Sequence, residues 1–218
     1  MLTIDRIAAA DIITWFLDAV AHASHRATPY DHWLLASCLP DRAVEAVTAL
    51  PFAPPDVLPF DGRRESGNST RVFFNPEQQA RFPICSALAE AFADPSVISV
   101  LELATGAPIG QGHLRIEYCQ DVDGFWLEPH LDLKVKLFTM LIYLSADPRL
   151  HDAGTDIYDD SPDHRRVGTI PYRRNAGMIF IPGERSWHGF TPRPIQGVRQ
   201  SLIVNYVAAG WRATEELC

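Results

Sequence analysis

Residues 136–145, KLFTMLIYLS, constrain the fold more than any other stretch of this chain. Apolar, β-branched and aromatic side chains follow one another there with few polar interruptions. That is the pattern of a strand covered on both faces. The stretch is not isolated. Residues 112–119 and 199–207 also read as strands, 167–172 as a short strand and 178–183 as strand then turn, with turn signals such as Asn175-Ala176-Gly177 between them. About seven or eight short strands between Gly112 and Val207 suit a jelly-roll double sheet.

The first half of the chain reads differently. Within residues 4–23, Ile7, Ile12, Ile13, Phe16, Leu17 and Val20 recur at helical spacing. Such a helix packs on the main domain, with a homodimer contact as the alternative. Residues 24–28 read as a linker and 29–40 as a short strand ended by Pro40. Asp41 is placed to cap a helix over 42–50. Residues 51–70 are rich in Pro, Gly, Asp and Ser, hence a loop, and 71–74 form a strand piece. Residues 76–104 carry a buried helical stripe of Phe82, Cys85, Leu88, Phe92 and Val100, broken at Pro83 and Pro95. The fold expected is mainly β with flanking helices (α+β), a jelly roll buttressed by N-terminal helices. Its parts are a helix over 1–27, a domain over 28–207 and a tail over 208–218.

A chain of 218 residues, 47% hydrophobic, can bury one sizeable core. Its net charge of −8 disfavours a nucleic-acid backbone as main partner. Cys38, Cys85, Cys119 and Cys218 are scattered without a Cys-x-x-Cys pair, so free thiols in a reducing cytoplasm are expected. Asp5, Arg6, Asp11 and Asp18 interrupt the N-terminal apolar pattern, which argues against a signal peptide. No apolar run has the length of a bilayer span.

The chemistry-bearing residues lie in the second half. His130 and Asp132 stand two apart, so on an extended strand they share a face. His188 comes several predicted strands later, room enough for a return to the same place. Two imidazoles and one carboxylate leave half of a metal's coordination open, as non-haem Fe(II) with a cosubstrate and O2 requires. Arg199 and Ser201 share a face of the run 199–207, where a guanidinium and a hydroxyl could hold a carboxylate. A lone His-x-Asp carries little information; the combination with His188, Arg199 and Ser201 carries much more. The acidic segment 147–166 reads as a solvated loop rather than a second metal site. Arg193, flanked by Pro192 and Pro194, is a poorer anion partner than Arg199.

Over residues 28–207 these motifs resemble the Fe(II)/2-oxoglutarate-dependent oxygenases, and within them the prolyl-4-hydroxylase-like branch. The resemblance implies a cupin-like double-stranded β-helix with Fe(II) on His130, Asp132 and His188. It implies 2-oxoglutarate as cosubstrate, its far carboxylate on Arg199 with help from Tyr143 and Ser201. It places Tyr118 near the cosubstrate, Thr139 as a lesser neighbour, and Thr155 or Ile157 toward the substrate. Phe125, Trp126 and Glu128 then sit in the loop before the ligands. The activity implied is hydroxylation of an unactivated C–H, releasing succinate and CO2, on a small molecule or a peptidyl, for instance prolyl, substrate. With Asp132 present, the position a halide would need is filled, which favours hydroxylation over halogenation. The alternative reading is a metal- or sugar-binding jelly roll without oxygenase activity.

Overall fold

The computed structural model describes residues 7–56, 61–63 and 71–218. Eleven strands and five α-helices are found among these residues. Helices α1 (Ala9–Ala21), α2 (Asp41–Thr48), α3 (Pro76–Arg81), α4 (Pro83–Phe92) and α5 (Pro95–Thr105) occupy the first half. Strands β1 (Ser24–Arg26), β2 (His32–Leu35) and β3 (Val72–Phe73) are threaded among them. The second half holds β4 (His113–Asp121), β5 (Leu127–His130), β6 (Lys136–Tyr143) and β7 (Asp156–Tyr158). It continues with β8 (Arg166–Thr169), β9 (Gly177–Phe180), β10 (His188–Phe190) and β11 (Arg199–Val207). This is the α+β jelly roll expected from the run of short strands.

Two antiparallel sheets face one another. The major sheet has the order β1-β2-β9-β6-β11-β4-β3, and the minor sheet the order β5-β10-β7-β8. Strand alternation divides the major sheet's side chains between two cores. Phe138, Met140 and Ile142 of β6 join Leu202, Val204 and Tyr206 of β11 and the helices in one cluster. Leu141 and Tyr143 point the other way, into a second cluster between the sheets. Helices, major sheet and minor sheet therefore form three layers. Phe16 of α1 meets Phe92 of α4 edge to face at 5.1 Å, so the N-terminal helix packs on the helical layer.

Several local expectations change. The linker over 24–28 contains β1, which pairs with β2 from Ser24↔Leu34 to Arg26↔His32. A three-residue edge strand is too short for its alternation to be read. Asp41 does not cap α2: the preceding Pro40 holds the cap position, and Asp41 lies in the first turn and pairs with Arg174. Pro83 and Pro95 interrupt the helical stretch, and each also opens the next helix, where the missing N–H costs nothing. Part of the loop over 51–70 lies outside the described residues. The tail is anchored: Glu216 bonds Arg115, and the Cys218 amide donates to the Leu114 carbonyl. Among the described residues no single helix is long and apolar enough to cross a membrane.

Candidate metal and cosubstrate site

His130 ends β5 and His188 begins β10. The two strands are neighbours, and these two residues are directly paired across the ladder. Their rings lie 4.4 Å apart. Asp132 sits just beyond the end of β5, not on the strand itself. One ligand atom from each of the three residues lies within 4.8 Å of the others, close enough for a single ion. The approach depends on Gly189. A Cβ there would stand 2.8 Å from the Leu127 carbonyl oxygen and 2.9 Å from that of Glu128, so β10 could not lie against β5.

Both imidazoles are oriented by the backbone. His130 Nδ1 lies 2.9 Å from the Glu128 carbonyl oxygen, and His188 Nδ1 lies 2.9 Å from that of Ser186. A carbonyl only accepts, so each Nδ1 carries the proton and each Nε2 presents its lone pair. Burial, reinforced by the neighbouring His130, holds the His188 pKa down to about 3. At neutral pH His188 is thus an uncharged ligand. Asp132 is held at both oxygens: Lys136 Nζ donates to Oδ1 at 2.8 Å, and Thr139 Oγ1 to Oδ2 at 2.7 Å. Thr139 in turn accepts from Asn205 Nδ2 at 2.9 Å.

A cavity runs from this triad along the inner face of the major sheet, with Arg199, Ser201 and Thr155 in its wall. Arg199 is buried. Its Nε donates to the Ala153 carbonyl at 2.7 Å and its Nη1 to Asp121 Oδ2 at 2.5 Å. Burial opposes the charge of Arg199, but Asp121 outweighs it and keeps the guanidinium firmly cationic. Its Nη2 has no hydrogen bond among the described residues. Ser201 is fully buried, and its hydroxyl has no partner among the described residues. A buried orphan hydroxyl beside a guanidinium is unusual and points to an absent acceptor. Tyr143 stands opposite Ser201 in the ladder; its hydroxyl donates to Thr155 Oγ1 at 2.9 Å and accepts from the Thr155 amide.

Tyr118 does not join this group. It pairs with Leu202, so it faces the helices, packs near Phe52 and accepts from Gln200 Nε2 at 2.7 Å. Its neighbours Cys119 and Asp121 face the cavity instead. Arg193 is committed elsewhere, to Asp156 at 2.6 Å and the Gly154 carbonyl at 2.7 Å. Asp156 itself is wholly buried, so the acidic segment 147–166 is not all solvated loop. Of the predicted loop residues, Phe125 lines the cavity, while the Trp126 ring covers Gly62. Ile157 pairs with His188, and Thr155 lines the cavity wall. Lys136, Asp121 and Arg71 also line it and were not singled out from the sequence.

The strands form a double-stranded β-helix like that of the Fe(II)/2-oxoglutarate oxygenases, prolyl-4-hydroxylases among them, and His130, Asp132 and His188 give it a candidate two-histidine, one-carboxylate metal site. No family model matches the chain, and no curated protein matches it by sequence. Solved structures do. A prolyl-4-hydroxylase of Pseudomonas putida superposes with a TM-score of 0.57 at 16% identity, over 92% of this chain and 94% of that one. The viral collagen prolyl hydroxylase of Paramecium Bursaria Chlorella virus-1, in complex with 2-oxoglutarate, gives 0.54 at 12%, over 82% and 96%. HygX from Streptomyces hygroscopicus, with nickel and 2-oxoglutarate bound, gives 0.51 at 13%, over 83% and 84%. At these identities the likeness is one of fold.

Proposed function

We propose that the chain is an Fe(II)- and 2-oxoglutarate-dependent dioxygenase that hydroxylates a C–H bond of a small-molecule or peptide substrate. The observation that carries this reading is the convergence of His130, Asp132 and His188 in the wall of a cavity that a buried guanidinium also lines. The donor set fits the metal: two imidazole nitrogens and one carboxylate suit Fe(II) and leave positions for other ligands. The cavity wall fits the cosubstrate, since the orphan Ser201 hydroxyl and the cationic Arg199 suit a carboxylate. Bound Fe(II) supplies O2 activation coupled to decarboxylation of 2-oxoglutarate to succinate and CO2.

The chain's own residues prepare that chemistry. The carbonyls of Glu128 and Ser186 fix the imidazole tautomers. Lys136 and Thr139 orient the Asp132 carboxylate. Arg199 and Ser201 hold the far carboxylate, while Tyr143 backs the pocket through Thr155. Phe190 and Leu141 line the same cavity and limit the water that reaches the reacting end.

The test is succinate formation from 2-oxoglutarate that requires added Fe(II), screened with amino acids, peptides and metabolites for stimulation. A non-oxygenase jelly roll would bind metal and form no succinate under any of these conditions. Arg199→Ala separates the readings further, because it should sharply raise the 2-oxoglutarate requirement only of an oxygenase.

A further inference from the structure

Arg71 is a cation that the proposed chemistry leaves unused. It directly precedes β3, where Val72 pairs with Tyr118 of β4. By strand alternation Arg71 therefore lies across from Cys119 and on the same face. Cys119 pairs with Ser201, and Ser201 pairs with Tyr143. Arg71, Cys119, Ser201 and Tyr143 thus form one row across four strands, on the face that lines the cavity. Arg199 lies two residues along β11 from that row, on the same face.

The Arg71 side chain is 6% exposed, and it lines the same cavity as Arg199 and Ser201. Its Nη1 donates to Glu117 Oε2 at 2.8 Å, the one hydrogen bond it makes among the described residues. Glu117 is already gripped by Arg115, whose Nη1 reaches Oε1 at 2.8 Å. Asp121, between Arg71 and Arg199, spends an oxygen on Arg199. Two guanidinia with donors to spare thus border Cys119, and the unpartnered Ser201 hydroxyl stands beside it. We infer that Arg71 is a second guanidinium of the pocket for the cosubstrate's distal carboxylate, acting with Arg199 and Ser201. The inference rests on the oxygenase reading and adds to it a selectivity for dicarboxylic over monocarboxylic 2-oxo acids, set from the edge strand β3.

The experiment measures binding by calorimetry on anaerobic Fe(II)-loaded protein. The ligands are 2-oxoglutarate and 2-oxobutyrate, which lacks the distal carboxylate. Arg71→Gln should weaken 2-oxoglutarate binding by roughly tenfold or more, the worth of a charge-assisted contact. Binding of 2-oxobutyrate should not change. Arg71→Lys keeps the charge but loses the planar fork, so it should lower the preference for 2-oxoglutarate by less. That variant decides the matter if Arg71→Gln does not fold. An unchanged preference in the folded variants, or equal losses for both ligands, overturns the assignment and leaves Arg71 as a tie between β3 and β4. Wild-type protein that binds neither acid overturns the oxygenase reading itself, a result distinct from either of those.

Discussion

Ser201→Ala is expected to move stability and cosubstrate affinity in opposite directions. The wild-type hydroxyl is fully buried without a partner among the described residues. Leaving such a group unsatisfied costs about 1–3 kcal/mol. Truncation removes that cost and leaves a void no larger than one oxygen atom, which returns a fraction of the gain. A net stabilisation of about 1 kcal/mol would raise the melting temperature of a chain this size by about 2–4 °C. On the proposed reading 2-oxoglutarate brings that hydroxyl an anionic acceptor, and a hydrogen bond to a charged group contributes about 1.5–3 kcal/mol. Its loss should weaken 2-oxoglutarate roughly 10- to 100-fold. Scanning calorimetry with and without 2-oxoglutarate and Mn(II) reads both effects on one sample. The variant should melt above wild type without ligand and show a smaller ligand-induced rise. A variant that melts lower without ligand and keeps the full rise would refute the reasoning.

Asp132→Ala should abolish stoichiometric metal binding, as read by metal analysis after gel filtration. It also removes the carboxylate bonded to Lys136, and breaking a buried pair of this kind costs about 3–5 kcal/mol in stability. Arg199→Ala should raise the dissociation constant for 2-oxoglutarate by about two orders of magnitude or more, with metal content unchanged. Asp156→Asn should cost about 3–5 kcal/mol, measured by urea unfolding, because a buried carboxylate bonded to Arg193 and Thr169 is neutralised. Burial alone would raise the Asp156 pKa, yet Arg193, Thr169 and the Thr191 amide together hold it below the ordinary carboxylate value. Its contribution is therefore fully present above the unfolded value of about 3.9, and it is lost as pH falls through the lower folded value. Asp156→Asn should then flatten the acid limb of the stability profile; an unchanged limb would show that Asp156 contributes nothing there.

The parts of this molecule that were legible in the sequence are those written in one-dimensional patterns. The β6 run is apolar on both sides because helices cover one face and the minor sheet the other. His130, Asp132 and His188 could be grouped because a metal needs that set of donors, whatever the path of the chain. Register was not legible. Tyr118 and Cys119 are neighbours with opposite fates, and only the pairing of Tyr118 with Leu202 shows which one faces the helices. The inward charges were hidden for a related reason. Asp121, Lys136 and Arg71 look like surface residues singly, since such groups are buried only when paired. Their partners Arg199, Asp132 and Glu117 come from other strands or from a strand end. Asp156 was read with its acidic neighbours for the same reason, although Arg193 draws it inside.

Gly189 bears on how this centre could be redesigned. The spacing of the two imidazoles is set less by the imidazoles than by an absent methyl group, where β10 rests on the carbonyls of Leu127 and Glu128. Other donor atoms could be exchanged at 130 or 188 while the backbone keeps its separation. Any side chain at 189 would wedge the strands and spoil the geometry for every ligand set alike.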